Sequence, residues 1–205
     1  MQRRRFLQYG AAGVGAIGLM LFVGWWRVDG PGAPEAVGKR PVALSAMEFR
    51  LTDHEGVEVG PDTLIGRPSM VFFGFTYCPD VCPTTLSDIS SWLDELGKDA
   101  ERLHIIFITI DPERDTAAAM ARYVENFHPS IRGWTGPEYQ IASAVKGFRA
   151  YYEKVPTEGS DYTMDHTASI ILLDSRGTFF GTIAYGENAD NALAKLQRLI
   201  EKSKQ

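Results

Sequence analysis

The chain has 205 residues, enough for one domain of ordinary size and a short additional segment. Its 44% hydrophobic and 11% aromatic content is that of a globular protein and excludes a chain that is disordered throughout. Residues 1–40 hold six basic and two acidic side chains, whereas the remainder holds 15 basic and 24 acidic ones. Because an acidic body repels phosphate backbones, these charges argue against nucleic acid as a partner.

Residues 1–27 predict a membrane anchor that also serves as an export signal. Residues 9–26 form a run of 18 residues without a charge, which follows Arg3, Arg4 and Arg5. As a helix this run would be about 27 Å long, close to the hydrocarbon thickness of a bilayer. The arginine cluster predicts that the N-terminus stays in the cytoplasm. We therefore expect a single-pass protein of the inner (cytoplasmic) membrane, whose soluble domain faces the periplasm or the cell exterior.

The export route and the fate of the anchor have alternatives. Arg3 and Arg4, followed by Phe6 and Leu7, resemble a twin-arginine signal, but an ordinary basic start to a signal fits equally well. Residues 33–36 make a poor cleavage site, which favours an uncleaved anchor over a removed signal.

A linker and one domain follow the anchor. Residues 28–41 contain three prolines and three glycines, which is typical of a linker. Residues 42–205 then form the predicted domain.

The domain alternates between strand patterns and helix patterns. Strands are predicted at 47–53 (an edge strand), 69–75, 103–110, 169–174 and 178–184, and helices at 83–96, 116–127, 138–148 and 188–202. The last two strands flank a Ser-Arg-Gly turn and therefore form an antiparallel hairpin. This order is that of a thioredoxin-like domain, so the expected fold is a three-layer α/β sandwich around a central mixed sheet.

The two cysteines of the chain, Cys78 and Cys82, lie between the buried strand 69–75 and the helix 83–96. The N–H groups and the dipole at a helix start stabilise thiolates, which suits either a redox pair or two soft metal ligands. Three intervening residues, rather than the two of redox thioredoxins, favour chelation of an ion. Iron–sulfur clusters and zinc sites usually need four protein ligands, so copper with low coordination fits two cysteines best.

The third ligand is expected from a histidine. Three of the four histidines are expected to be solvated or capping residues: His54, His104 and His128. His166 immediately precedes the strand 169–174, and in a thioredoxin-like sheet the loop entering that strand faces the helix start that carries the cysteines. The sequence therefore predicts His166 as the third ligand. Asp165 is a candidate acceptor for its other ring nitrogen, and Met164 is expected in the core.

Three segments resemble the Sco/SenC family of cytochrome c oxidase assembly proteins. They are residues 74–86 (Gly-Phe-Thr-Tyr-Cys-Pro-Asp-Val-Cys-Pro-Thr-Thr-Leu), residues 111–116 (Asp-Pro-Glu-Arg-Asp-Thr) and residues 161–167 (Asp-Tyr-Thr-Met-Asp-His-Thr). The resemblance covers residues 40–203, and bacterial and mitochondrial members of the family also carry an N-terminal anchor.

The resemblance implies a thioredoxin-like fold and one copper ion, Cu(I) or Cu(II), bound by Cys78, Cys82 and His166. It also implies a copper chaperone, which delivers copper to, or reduces, the binuclear copper site of cytochrome c oxidase subunit II or another copper protein. The family segment 111–116 has no expected ligand role. It is interpreted as a strand end, a proline turn and a helix cap.

Two other classes remain open. A membrane-anchored thiol–disulfide reductase acting on oxidase cysteines, or a peroxidase-like relative, would use the same low-pKa cysteines. Such a reductase would draw electrons from a thioredoxin-like reductant and would tolerate loss of His166. A copper or redox sensor that signals through the anchor is a weaker alternative, because few residues precede the anchor in the cytoplasm.

Overall fold

The computed structural model describes Phe22, Pro41 and residues 43–157 and 161–203. Chain contacts divide the protein into two units, Met1–Lys39 and Arg40–Gln205, and all elements below belong to the second.

The N-terminal predictions fall almost entirely outside this part of the chain. Apart from Phe22 and Pro41, the expected anchor at 1–27 and the expected linker at 28–41 lie outside the described residues. Among the residues that are described, no helix is both long enough and apolar enough to cross a membrane.

The described residues form nine strands in two sheets. The strands are β1 (Leu51–Asp53), β2 (Glu58–Val59), β3 (Ser69–Gly74), β4 (His104–Thr109), β5 (Ile131–Thr135), β6 (Tyr152–Pro156), β7 (Tyr162–His166), β8 (Ile170–Leu173) and β9 (Phe179–Ile183). Seven of them form the main sheet in the order β2-β1-β5-β4-β3-β8-β9, while β6 and β7 form a separate antiparallel pair. The main sheet is mixed, because β3, β4 and β5 are parallel to one another and the other pairings are antiparallel.

Four α-helices of the described chain connect and cover these strands. They are α1 (Val81–Leu96), α2 (Ala117–Val124), α3 (Glu138–Phe148) and α4 (Ala189–Lys202). The side chains of Thr116 and Asn188 cap α2 and α4 by accepting hydrogen bonds from free N–H groups of the first turn.

The helices lie on both faces of the main sheet. Successive strand residues point to opposite faces. At the end of β3, Phe73 packs its ring against Phe148 of α3 at 5.6 Å, whereas Gly74 faces Cys82 of α1. All six residues of β3 are buried, as expected for a continuous apolar run between two helical layers. The mixed α/β architecture around a central sheet is therefore confirmed.

Most predicted elements agree with the structure to within a few residues, and one strand assignment was wrong. The segment 47–53 is no edge strand, because β1 pairs with β5 on one side and with β2 on the other. The strand at this edge of the main sheet is β2, which has two residues and is too short for a recognisable strand pattern. The sequence also missed β5. Its central residue is Gly133, which leaves room for Met120 and Val124 of α2, and a glycine inside a strand interrupts the pattern by which strands are recognised.

Candidate metal centre

Both cysteines lie where β3 passes into α1. Cys78 is in the connecting loop and donates its N–H to the Phe75 carbonyl at 3.3 Å, which closes a turn. Cys82 is in the first turn of α1, where N–H groups have no partner within the helix. Its N–H donates to Cys78 Sγ at 3.3 Å. This hydrogen bond from the first turn of α1 therefore keeps Cys78 Sγ next to the start of the helix.

The position of Cys82 depends on a glycine at the end of β3. A Cβ atom on Gly74 would lie 2.7 Å from Cys82 Sγ and 2.8 Å from a ring carbon of Phe107. Cys82 is fully buried in the space that this glycine leaves, whereas Cys78 is partly exposed. One sulfur of the pair is thus enclosed by the core and the other faces solvent.

The two thiols differ in acidity. The hydrogen bond from the Cys82 thiol is the largest cause that lowers the pKa of Cys78, against the opposing effect of burial. The same hydrogen bond, together with burial, raises the pKa of Cys82. Of the two sulfurs, Cys78 therefore ionises at the lower pH and Cys82 keeps its proton to the higher pH. Cys82 would release that proton if both sulfurs bound a metal.

His166 ends β7 and turns one nitrogen toward the cysteines. Its Nδ1 lies 3.0 Å from the Thr167 carbonyl oxygen. Since a carbonyl only accepts, Nδ1 donates and carries the hydrogen. Its Nε2 lies 3.5 Å from Cys82 Sγ, and the rings of Phe72 and Phe75 meet the imidazole edge-on. The imidazole is thus oriented with its free lone pair toward the sulfurs.

The neighbours of His166 differ in part from the sequence interpretation. The residue lies at the end of a strand of the β6–β7 pair and not in a loop. The orienting acceptor is the Thr167 carbonyl and not Asp165, which is exposed. Met164 is buried in the core, as expected. The strand was missed because its alternation is confined to five residues with one buried position.

The three predicted residues come together as one group. Cys78 Sγ, Cys82 Sγ and His166 Nε2 or Nδ1 offer ligand atoms that all lie within 4.8 Å of one another. Donors around an ion with bonds of about 2.0–2.3 Å lie roughly 4 Å apart, so small side-chain movements would close the group around an ion. A cavity of about 240 Å³ borders Cys78 and His166 and leaves one side of the group accessible.

The other three histidines lie outside the group formed by Cys78, Cys82 and His166. His54 Nδ1 accepts the Gly133 N–H at 3.0 Å, and His128 Nδ1 accepts the Ser130 N–H at 3.1 Å. His104 begins β4, and burial lowers its pKa. Within the described ranges, none of these three belongs to a group that could hold a metal ion. His104 differs from the expected solvated or capping histidine, because its Nδ1 is buried without a hydrogen-bond partner among the described residues.

The segment 111–116 is closer to the site than the sequence suggested. Thr116 caps α2 as expected, but Arg114 contacts residues of both ligand-bearing segments, and Asp115 is buried against the cysteine loop. The sequence carried a signal for this role, because an arginine and three acidic residues follow closely after a buried strand. The segments that they contact, however, are far away in sequence.

The sequence of this chain is similar to those of one known protein family. The sequence model of the SCO1/SenC family matches residues 38–201. Protein SCO2 homolog, mitochondrial, of Mus musculus is 37% identical over 164 residues, which cover 78% of this chain and 64% of the relative. Protein SCO1, mitochondrial, of Saccharomyces cerevisiae is 39% identical over 145 residues, which cover 69% of this chain and 48% of the relative. The chain thus spans about half to two thirds of the length of these two relatives.

Solved structures extend the likeness to the fold. ScoI of Bradyrhizobium japonicum with copper bound is 43% identical, with a TM-score of 0.70 over 78% of this chain and 99% of that one. Yeast Sco1 with copper bound is 32% identical, with a TM-score of 0.71 over 80% of this chain and 90% of that one. With the mixed sheet described above, these likenesses show a thioredoxin-like fold. Because the family model matches well over half of the residues, the chain belongs to the SCO1/SenC family.

Proposed function

We propose that this protein is a copper chaperone, which binds one copper ion as cargo through Cys78, Cys82 and His166. The observation that carries this proposal is the convergence of two sulfurs and one correctly oriented imidazole nitrogen within 4.8 Å. Thiolates select soft ions and imidazole suits copper, whereas structural zinc usually takes four protein ligands. The copper-bound relatives support the same choice.

The difference in exposure between the two sulfurs suits transfer of the ion. Cys82 is enclosed by the core, so it can retain the ion, while Cys78 and the adjoining cavity are accessible to a partner. With three protein donors, an incoming ligand can bind before a donor leaves. The ion would therefore pass by ligand exchange without being released into solution.

The recipient and the location complete the proposal. The expected client is the binuclear copper site of cytochrome c oxidase subunit II, or another copper protein, with this chain acting in oxidase assembly. Residues 1–27 would anchor it in the inner membrane and residues 28–41 would connect the anchor to the domain 42–205. The domain would face the periplasm or cell exterior. Family membership and the apolar run at 9–26 support this arrangement.

A second candidate is a thiol–disulfide reductase acting on the client's cysteines. It is favoured by one observation: partly exposed Cys78 lies next to Cys82, whose N–H contacts its sulfur at 3.3 Å. Attack by an accessible sulfur followed by resolution by its neighbour is the usual course of thiol–disulfide exchange. An imidazole has no necessary part in that exchange, so His166 separates the two candidates.

A copper titration of the reduced full chain in detergent tests the proposal. In competition with a chelator, we expect one copper ion per chain. Cys78→Ser, Cys82→Ser and His166→Ala should each weaken copper binding by more than about 100-fold. Loss of a residue that only hydrogen-bonds to a metal ligand already lowers metal affinity by about 10–100-fold, and loss of a ligand should lower it further. His128→Ala, on a histidine outside the group, is the matched control. Unchanged affinity in His166→Ala, with ready disulfide exchange, would favour the reductase instead.

A further inference from the structure

The segment between β4 and α2 contacts the loop that carries Cys78. The side chain of Asp115 is completely buried. Its carboxylate accepts the Thr76 N–H at 3.0 Å and the Thr76 hydroxyl at 2.5 Å, and it also accepts the Thr109 hydroxyl at 2.6 Å. Thr76 lies two residues before Cys78. Asp115 therefore fixes the cysteine loop to the end of β4 through three hydrogen bonds.

The preceding residue, Arg114, contacts the strand that carries His166. Its Nη1 donates to the Tyr162 carbonyl at 3.1 Å and to Asp161 Oδ1 at 3.4 Å. Its guanidinium carbon lies 3.8 Å from the centre of the Tyr162 ring and 4.7 Å from that of Tyr77, the neighbour of Cys78. One arginine thus lies between an aromatic ring of the cysteine loop and one of β7.

Arg114 is itself held in place by a buried acid. Asp111 accepts a hydrogen bond from Arg114 Nε and another, at 2.8 Å, from the Tyr162 hydroxyl. Lys154 of the neighbouring strand β6 pairs with Glu113 of the same segment at 2.8 Å. Both strands of the pair are therefore connected to residues 111–116.

These contacts matter because the main sheet does not hold β7. In the described chain, β7 pairs with β6 alone, and an isolated two-stranded hairpin is marginally stable in water. Met164 packs into the core, but it is the single buried residue of β7. The position of His166 relative to the cysteines therefore depends on tertiary contacts made by the hairpin. The rings of Phe72 and Phe75 contact the imidazole itself, and the segment 111–116 supplies polar and stacking contacts to the rest of the hairpin.

We propose that Arg114 and Asp115 are positioning residues for the metal site. Asp115 holds the Cys78 loop, Arg114 holds the His166 strand, and their adjacency in the chain fixes the separation of the two ligand-bearing segments. This inference rests on the proposed function, because the site in question consists of the residues expected to bind copper. The geometric claim, that Arg114 keeps the imidazole beside the sulfurs, applies equally to the metal-free protein.

Arg114→Gln in the full chain tests this proposal with two measurements. By chelator competition we expect copper affinity to fall by about tenfold or more, which is the lower end of the effect seen when a residue that supports a metal ligand is removed. In the metal-free protein we expect amide hydrogen exchange at residues 162–167 at least about tenfold faster, and a weaker nuclear Overhauser effect between the rings of His166 and Phe75. Arg132→Gln removes an arginine paired with Glu55 and Asp53, away from both segments, and should change none of these.

A second variant covers the case in which Arg114→Gln does not fold. Arg114→Lys keeps a positive charge beside Asp111 but loses the planar group that stacks between the rings. It should show the same changes in copper affinity and in exchange, at smaller size. A purely structural role would lower thermal stability without altering the His166–Phe75 contact or the copper affinity of the folded protein.

The outcomes separate this inference from the proposed function. If the wild type binds copper and the folded Arg114 variants bind it equally tightly with unchanged exchange at 162–167, the positioning role is wrong. If the wild type binds no copper, the proposed function fails, and the two measurements on the metal-free protein still decide the inference. Faster exchange and a lost ring contact would then support it, whereas unchanged values would overturn it.

Discussion

The two sides of the metal centre are built in different ways. Cys78 and Cys82 come from one short segment that leaves a fully buried central strand and enters a 16-residue helix. His166 is 84 residues beyond Cys82, on a two-stranded hairpin outside the main sheet. The cysteine side is therefore fixed by local chain geometry and by the core, whereas the histidine side depends on contacts between distant segments. A site built in this way can keep two ligands rigid while the third remains adjustable.

The largest expected effect concerns the two sulfurs of the cysteine side. In the reduced, metal-free protein at pH 7, Cys78 should react with iodoacetamide at least about 100-fold faster than Cys82, because it is partly exposed and its pKa is lowered, whereas Cys82 is buried and its pKa is raised. Mass spectrometry of timed samples measures both rates. In Cys78→Ser the remaining Cys82 should still react slowly. Equal rates in the wild type would contradict the described difference between the sulfurs.

The rigidity of the cysteine side can be tested at Gly74. Gly74→Ala places a methyl group against Cys82 Sγ and the Phe107 ring, and overpacking of this kind should lower the free energy of unfolding by about 1–3 kcal/mol. Urea denaturation measures the change. Gly181→Ala in β9 is the matched control, because a Cβ there meets nothing within 4 Å. If both variants were equally stable, the core around Cys82 would be able to accommodate an added methyl group, which would contradict the close contacts described here.

The contrast between the two sides can be measured directly by hydrogen exchange. Amides of β3, in the centre of the main sheet, should exchange only through global unfolding, while those of β6 and β7 should exchange at least about tenfold faster through local opening. The comparison needs the metal-free protein at one pH and temperature. Equal protection in both places would mean that the hairpin and the sheet unfold as one unit, and the distinction between a rigid and an adjustable side would fail.

A smaller effect concerns the pH dependence of stability at Asp174, which directly follows β8 of the main sheet and lies outside the hairpin. Burial opposes ionisation of Asp174, but the N–H groups of Thr178 and Arg176 and the Lys202 ammonium outweigh it and lower its pKa below the ordinary 3.8. A carboxyl with a lowered pKa stabilises the fold above its ordinary value and loses that contribution as the pH falls through the folded-state value.

Asp174→Asn should therefore destabilise the protein by about 1 kcal/mol at pH 7, and the difference from the wild type should shrink in acid. Urea denaturation at pH 7 and at pH 3 measures both differences. Asp190→Asn, at an exposed position in the first turn of α4, is a control for loss of one negative charge. A difference that grew as the pH fell would contradict the assignment.

Much of the cysteine side followed from the sequence alone. The apolar run of β3, a proline in the first turn of α1 and the spacing of Cys78 and Cys82 are all local features, and they correctly predicted a pair of sulfurs at a strand-to-helix junction. His166 was selected from four histidines by its place before β8 and by family resemblance. Its proximity to the sulfurs is borne out, although copper binding by these three residues remains a prediction.

Only the tertiary structure decided how the three residues are held. It decided that His166 ends a hairpin strand, that the contact of Nδ1 with the Thr167 carbonyl leaves Nε2 without a hydrogen, and that the pKa is lowered at Cys78 and raised at Cys82. It also brought Arg114 and Asp115 between the two ligand-bearing segments. The physical reason is the same throughout. Local patterns report which residues are buried and which backbone form they prefer, whereas hydrogen-bond partners and protonation depend on segments that meet only when the chain has folded.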